Sequence, residues 1–192
     1  MAVPNWAEIT TAFATSFVAL TGITALYFAW SQLRQAREQT KIQHLVQFER
    51  EFSSEPLITY RCELAKKRSE GKREPSELYQ ILDFFETVGL LVRRGYLDAS
   101  DVWSTFGYTV IILFADSREL VRDLQQEDPT SYSDFRLLAD TMRKIETAEG
   151  GTSEIPSAEE IQDFWREERE VKSGTSIPKG KKKPTKGQVR QA

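Results

Sequence analysis

Asp83 and Glu86 are the two carboxylates whose spacing could serve chemistry, in a chain of 192 residues. Three positions apart on a helix, both side chains lie on one face. Paired carboxylates can carry acid–base catalysis or bind a hard cation. The alternative is structural, because a carboxylate on a largely apolar helix is normally neutralised, here by Arg61 or Arg93. We favour this structural interpretation, in which the carboxylates hold two helices in register.

Other residue types that catalysis commonly uses are scarce. The chain contains one histidine, His44, and one cysteine, Cys62, so a zinc site of the usual His/Cys type cannot form within one chain. We expect His44 to be solvated or interfacial and Cys62 to be a buried, inert thiol. Serine nucleophile elbows, phosphate loops and dinucleotide fingerprints are absent from the sequence. We therefore predict no enzyme activity, no cofactor, no metal site and no small-molecule substrate.

The C-terminal part has a strongly uneven charge distribution. Residues 146–170 contain nine acidic and two basic residues, whereas residues 171–192 contain seven basic and no acidic residues. We predict a flexible tail over residues 147–192, interrupted by one short amphipathic helix over residues 158–171. A polybasic cluster in this tail could contact anionic lipid, pair with the acidic stretch or, as the least favoured alternative, contact nucleic acid. The cluster consists of Lys179, Lys181, Lys182, Lys183 and Lys186.

An uncharged stretch near the N-terminus has the length of a membrane span. Residues 9–30 carry no charge, and a helix of this length covers roughly 33 Å, enough for a hydrocarbon core of about 30 Å. Trp6 before the stretch and Tyr27 and Trp30 at its end fit the headgroup level. A cleaved signal peptide would need a basic start and a small-x-small site, which are missing. We predict an uncleaved transmembrane anchor over residues 1–31, and the alternative is a buried helix of a soluble protein.

The charges that flank this anchor predict its orientation. Glu8 precedes the uncharged stretch, whereas Arg34, Arg37 and Lys41 follow it. By the positive-inside rule, the N-terminus lies outside and the rest of the chain in the cytoplasm, at the inner (plasma) membrane. Small residues recur along the anchor, which would permit self-association in the lipid bilayer, although a threonine- and alanine-rich span also shows such stripes by chance.

The cytoplasmic part, residues 32–146, shows the periodicity of helices and no clear alternation with a period of two. The first helix should continue beyond the anchor until Ser53-Ser54, and Pro56 should lie in the first turn of the next helix. Further helices are predicted over residues 57–65, 76–93, 99–114, 117–126 and 132–145. The fold class is therefore all-α, with one transmembrane helix continuing into a small bundle of about five helices, followed by a disordered tail.

The helix that opens at Ser76 contains the densest apolar run of the cytoplasmic part. Apolar residues nearly all round indicate a helix that is buried on most sides, so it should form the centre of the core. Arg93-Arg94-Gly95 should close this helix, with cations at its negative end and glycine as the left-handed cap. The stretch Leu97-Asp98-Ala99-Ser100 should then cap the following helix.

The same helix and turn carry a family resemblance. Residues 83–98 read DFFETVGLLVRRGYLD and are followed by Val102-Trp103 and Phe106-Gly107. This stretch resembles domain of unknown function 4760, a bacterial family with an FFE-x-x-G-L-L helix and an R-x-G-x-L-D turn. The resemblance extends over residues 29–145. It implies an N-terminal membrane helix that runs into a small helical domain, and it implies no activity.

Three functions remain open at this point. The favoured hypothesis is a non-enzymatic, membrane-tethered helical module that binds a protein partner or a second copy of itself. The first alternative is a membrane effector, of the toxin or defence type, that oligomerises and permeabilises the bilayer. The second, less favoured alternative is a hydrolase or metal enzyme that uses Asp83 and Glu86. We expect no nucleic-acid partner.

Overall fold

The computed structural model describes residues 6–72, 76–151 and 154–171, without the side chains of residues 7–16, 18–20 and 171. Within these ranges the chain forms six α-helices and no β-strand, so the all-α prediction is confirmed for this part. The helices are α1 (Trp6–Phe52), α2 (Glu55–Ser69), α3 (Ser76–Arg93), α4 (Ala99–Glu127), α5 (Ser133–Ala148) and α6 (Ala158–Val171).

Two compact units divide the chain, Met1–Gln43 and His44–Ala192. No helix in the described ranges is long and apolar enough to cross a membrane. The side chains of residues 9–16 and 18–20, which belong to the predicted anchor, lie outside the described set. The transmembrane part of the predicted fold is therefore not confirmed.

The boundary between α1 and α2 lies where the sequence predicts it. Ser54 has an extended backbone, with φ −84° and ψ 159°, and precedes a proline in the first turn of α2. Its hydroxyl donates a hydrogen bond to the carbonyl of Glu51 over 2.6 Å. Proline is suited to this first turn because its missing N–H would have no intrahelical acceptor there.

A single helix, α4 (Ala99–Glu127), replaces two of the predicted helices. The predicted break before Ser117 does not occur because residues 114–118 contain neither glycine nor proline. Ser117 is buried, and its hydroxyl donates to the carbonyl of Leu113, 2.7 Å away. The polar side chain thus finds its acceptor within the helix, and the helix continues past it.

α3 is the centre of the core, as the sequence predicts. Its side chains Leu78, Ile81, Leu82, Phe85 and Val88 have no exposed surface. α3 packs against α2 on one side and α5 on the other. Burial on several faces explains why its apolar residues do not follow a single helical stripe.

Four phenylalanines join three helices of the second unit. Phe84 and Phe85 of α3 meet Phe52 at the end of α1 and Phe106 of α4. The ring centroids across these helices lie 5.4–6.1 Å apart, mostly edge to face. Such aromatic pairs stabilise a fold by about 0.5–1.5 kcal/mol beyond the area they bury.

The turn from α3 to α4 confirms the predicted caps. Gly95 has a positive φ of 75°, a conformation that glycine adopts without the steric cost of a side chain. The Asp98 carboxylate accepts a hydrogen bond from the backbone N–H of Ser100 over 2.9 Å and so caps α4. Leu97, between these two residues, is buried.

α6 lies inside the range that the sequence predicts as a flexible tail. The predicted helix over residues 158–171 is confirmed, but it packs against α2 and α4. Phe164 and Trp165 are each only 5% exposed. The tail prediction is wrong for this helix because its apolar face is buried in the core. Residues 172–192 lie outside the described part of the chain.

Candidate functional site

The structure brings Asp83 and Glu86 to the N-terminal end of α5. The hydroxyl of Tyr132, just before α5, donates to an Asp83 carboxylate oxygen over 2.9 Å. The two carboxylate oxygens of Glu86 accept from the backbone N–H groups of Asp134, at 3.2 Å, and Phe135, at 2.6 Å. The predicted pair therefore does connect two helices, α3 and α5.

Glu86 acts as a helix cap supplied by another helix. The first N–H groups of a helix lack intrahelical acceptors and carry partial positive charge. A carboxylate at this position both accepts their hydrogen bonds and interacts favourably with the helix dipole. In the part of the chain described, no group of three or more His, Cys, Asp or Glu side chains could hold a metal ion. This geometry supports the structural interpretation of the two carboxylates.

Arg61 and Arg93, the predicted partners, form their direct ion pairs with other carboxylates. Arg93 forms a fork with the Asp134 carboxylate, with its Nε 2.5 Å and its Nη2 3.0 Å from the two oxygens. Hydrogen bonding to Asp134 raises the pKa of Arg93 above its usual range. Arg61 binds Glu168 of α6 instead. Backbone N–H groups bind both oxygens of Glu86, and the charge of Glu86 also contributes to the raised pKa of Arg93.

Tyr132 occupies the one left-handed non-glycine position in the described backbone, with φ 50° and ψ 31°. This conformation costs energy for a residue with a bulky side chain. The hydrogen bond to Asp83 fixes the side chain and thereby the turn that leads into α5. Burial, and then the hydrogen bond to Asp83, raise the pKa of Tyr132, so its hydroxyl stays a donor even in alkaline solution.

Gly89, one turn after Glu86, allows this close approach of α5. A methyl group on its Cα would overlap the backbone of Asp134, since its carbon would lie 2.6 Å from the Asp134 carbonyl carbon. It would also lie 3.2 Å from the backbone nitrogen of Phe135. The contacts of Glu86, Gly89 and Arg93 with α5 explain why these three residue types occur at these positions of α3. We call this contact region the α3–α5 junction.

We expect Glu86→Gln to lower the free energy of unfolding by about 1–2 kcal/mol. An amide has one acceptor oxygen and turns an NH₂ group towards the N–H groups of Asp134 and Phe135. The change is measured by urea unfolding of the full chain in non-ionic detergent, with circular dichroism as the signal. Glu119→Gln, an exposed glutamate on α4, is the matched control. Equal midpoints for the two variants would contradict the capping role.

A second polar cluster fixes α6 to the core and includes the predicted residue Arg61. The Arg61 Nε and Nη2 each donate to a Glu168 oxygen over 2.8 Å, and its Nη1 donates to the carbonyl of Phe52 over 3.1 Å. The guanidinium also lies over the Phe52 ring, 4.1 Å from its centroid. Arg61 and Glu168 are 7% and 4% exposed, so this is a buried ion pair.

Asp116 of α4 forms a further contact with α6. Its carboxylate lies 2.8 Å from the Arg68 guanidinium and accepts from the Trp165 indole N–H over 3.2 Å. Burial raises the pKa of Asp116, and the Arg68 charge opposes that rise. Burial likewise raises the pKa of Glu168, against the effect of Arg61. We call these five residues (Arg61, Arg68, Asp116, Trp165 and Glu168) the α6 seat.

His44 and Cys62 take no part in a catalytic arrangement within the described residues. Cys62 is buried, as predicted, and its thiol lies 3.5 Å from the backbone carbonyl of Glu168. His44 is half-buried on α1.

The predicted membrane-interface residues lie on the exposed surface of α1. Trp6, Tyr27 and Trp30 are exposed aromatics, and Arg34 and Arg37 are exposed cations. The polybasic cluster Lys179, Lys181, Lys182, Lys183 and Lys186 lies outside the described residues.

The described residues form a small all-helical protein in which α5 packs against the central helix α3 at the α3–α5 junction. More specifically, the chain belongs to the family described as Domain of unknown function (DUF4760), whose model matches residues 9–142. The α3–α5 junction lies within the matched range, whereas α6 lies beyond it. A search of the curated proteins and a search of the solved structures gave no match.

Proposed function

We propose that the chain is a membrane-tethered, non-enzymatic helical module that presents its second unit at the cytoplasmic face of the inner membrane. The observation that carries this proposal is the exposed apolar surface of α1. Phe17, Ile23 and Leu26 are 69%, 67% and 73% exposed, respectively. Water-soluble proteins rarely leave large contiguous apolar patches uncovered, so this surface calls for lipid or protein around it.

Exposure on all faces favours lipid as the cover. Every side chain from residue 21 to residue 30 is exposed, including Phe28 and Trp30. A helix that docks on one partner would need only a single apolar stripe. An apolar surface that extends around the helix is typical of a membrane segment.

The flanking residues support one orientation for this anchor. Tyr27 and Trp30 precede Arg34 and Arg37 along α1, so aromatic rings come before cations on the way out of the uncharged stretch. This is the order expected at the cytoplasmic interface. Both arginines are exposed and therefore available to lipid phosphates. The N-terminus would then lie outside and the second unit in the cytoplasm.

The second unit has the construction of an interaction module. Its candidate catalytic carboxylates serve as hydrogen-bond acceptors for α5, and its buried arginine and glutamate serve as contacts for α6. These groups are committed to holding helices together, which supports a binding role over a catalytic one. The module would then act by binding a protein partner or a second copy of the chain.

We expect the full chain to sediment with membranes and to resist extraction by high salt and by alkaline carbonate. The double variant Ile23→Asp/Leu26→Asp should move most of the chain to the soluble or aggregated fraction, because a charge within the span costs up to about 3 kcal/mol on insertion, with the largest cost at the centre. Leu137→Asp, at an exposed leucine of α5, is the matched control and should stay with membranes. Extraction of the unaltered chain by salt alone would overturn the anchor.

A further inference from the structure

One cavity of about 310 Å³ lies between α4, α5 and the segment just before α6. Four arginines line it: Arg118 and Arg122 from α4, and Arg136 and Arg143 from α5. Asp140 is the one carboxylate among the described lining residues, and Asp123, outside the lining, pairs with Arg122, which still leaves an excess of positive charge at the cavity. This excess stands out in a chain whose net charge is −3.

The spacing of the arginines concentrates the charge. Arg118 and Arg122 are one turn apart on α4, and like charges at this spacing repel each other. For two of the four arginines, the hydrogen bonds to neighbouring residues use only part of the guanidinium N–H donors. Arg136 donates to the neutral amide oxygen of Gln125 over 3.2 Å, and Arg122 donates to Asp123 over 3.2 Å. An anion between the two helices would relieve the repulsion and accept hydrogen bonds from N–H groups of Arg118, Arg122 and Arg136.

The lining of the cavity also includes apolar residues. Ile111, Phe114 and Val121 of α4 contribute to it, and Ile155 and Pro156 contribute from the segment before α6. Ile155 is 53% exposed, so an apolar side chain at the rim has no cover within the described chain. Apolar residues together with arginines in one cavity suit a ligand that combines an organic body with an anionic group.

We propose that this cavity binds an organic phosphate monoester, with its phosphate among the arginines and its apolar body against Phe114, Val121 and Ile155. The planar guanidinium fork matches phosphate oxygens, and a doubly charged group balances most of the excess positive charge. The phosphate could belong to a lipid headgroup, such as phosphatidic acid, or to a free phosphate ester. This inference is independent of the membrane anchor.

The test is calorimetric titration of the full chain, in non-ionic detergent at low salt, with phenyl phosphate. We expect saturable binding at one site per chain and clearly weaker binding of inorganic phosphate, which lacks the apolar body, and of benzyl alcohol, which lacks the charge. Arg118→Gln/Arg143→Gln should weaken phenyl phosphate binding at least about tenfold. Arg94→Gln, an exposed arginine at the end of α3, is the matched control and should bind like the unaltered chain.

Competition then distinguishes the two sources of the phosphate. If mixed micelles containing phosphatidic acid displace phenyl phosphate, whereas phosphatidylcholine micelles do not, the site takes a lipid headgroup. If phosphatidic acid leaves phenyl phosphate binding unchanged, the site takes a free ester, and both results uphold the proposal. Absence of saturable phenyl phosphate binding would overturn it. So would equal binding by the double variant and by Arg94→Gln, or inorganic phosphate binding as tightly as phenyl phosphate.

Discussion

Gly89→Ala should lower the free energy of unfolding of the second unit by roughly 3 kcal/mol. The added methyl group would overlap the carbonyl of Asp134 and come close to the backbone nitrogen of Phe135. Both are backbone groups, which cannot rotate away. α5 would have to move off α3, which would also lengthen the hydrogen bonds from Asp134 and Phe135 to Glu86. In thermal unfolding of the full chain this corresponds to a drop in Tm of roughly 6–12 °C.

Thr87→Ala on the same helix is the control for this variant. Thr87 is exposed, and its hydroxyl donates to the carbonyl of Asp83 in its own helix. The change adds helix propensity and touches no other helix, so stability should stay within about 0.5 kcal/mol. A Gly89→Ala protein as stable as Thr87→Ala would show that α5 does not approach α3 as closely as the structure has it.

Local chemistry made much of the fold predictable. Pro56 in the first turn of α2, Gly95 after α3 and Asp98 before α4 act within a few residues of the chain, so sequence spacing alone reveals them. The burial of α3 followed from the density of its apolar residues. The predicted break in α4 was wrong because the Ser117 hydroxyl donates to a carbonyl of its own helix, so this polar residue does not end the helix.

The carboxylate partners could not be predicted because they are distant in sequence. Glu86 binds N–H groups 48 and 49 positions further on, and those groups belong to the backbone, which carries no residue-specific signal. The expectation that Arg61 or Arg93 would neutralise the carboxylates considers only side chains as partners. The available signal was Gly89, because a glycine inside an apolar helix indicates that another backbone approaches closely.

The position of α6 was hidden by composition. Its surroundings are acidic and rich in turn-forming residues, which is typical of a tail. Phe164 and Trp165 gave the amphipathic pattern that predicted a helix, yet the pattern does not say what the helix packs against. The contact that fixes it, Arg61 to Glu168, joins residues 107 positions apart. A buried arginine on α2 needed an anion, and no sequence rule selects this one among the many glutamates.

Glu168→Ala should be among the most destabilising single changes in the α6 seat, at about 3–5 kcal/mol. It would leave the Arg61 guanidinium buried with only the Phe52 carbonyl and ring as partners. Arg61→Ala should cost a similar amount, since Glu168 is equally buried. Urea unfolding measures the loss of stability. Limited trypsin digestion should show faster cleavage at Arg166 and Arg169 as α6 detaches.

The double variant Arg61→Met/Glu168→Met distinguishes the contribution of the ion pair to stability from that of side-chain packing at the same two positions. Both charges disappear together and methionine fills much of the volume, so we expect a smaller loss of stability than either single variant shows. Arg166→Ala is the control, because Arg166 and Asp163 form an exposed ion pair on α6 and its removal should cost less than about 1 kcal/mol. If the single variants at Arg61 and Glu168 were no less stable than Arg166→Ala, packing of Phe164 and Trp165 alone would hold α6. The buried charges would then be incidental to its position.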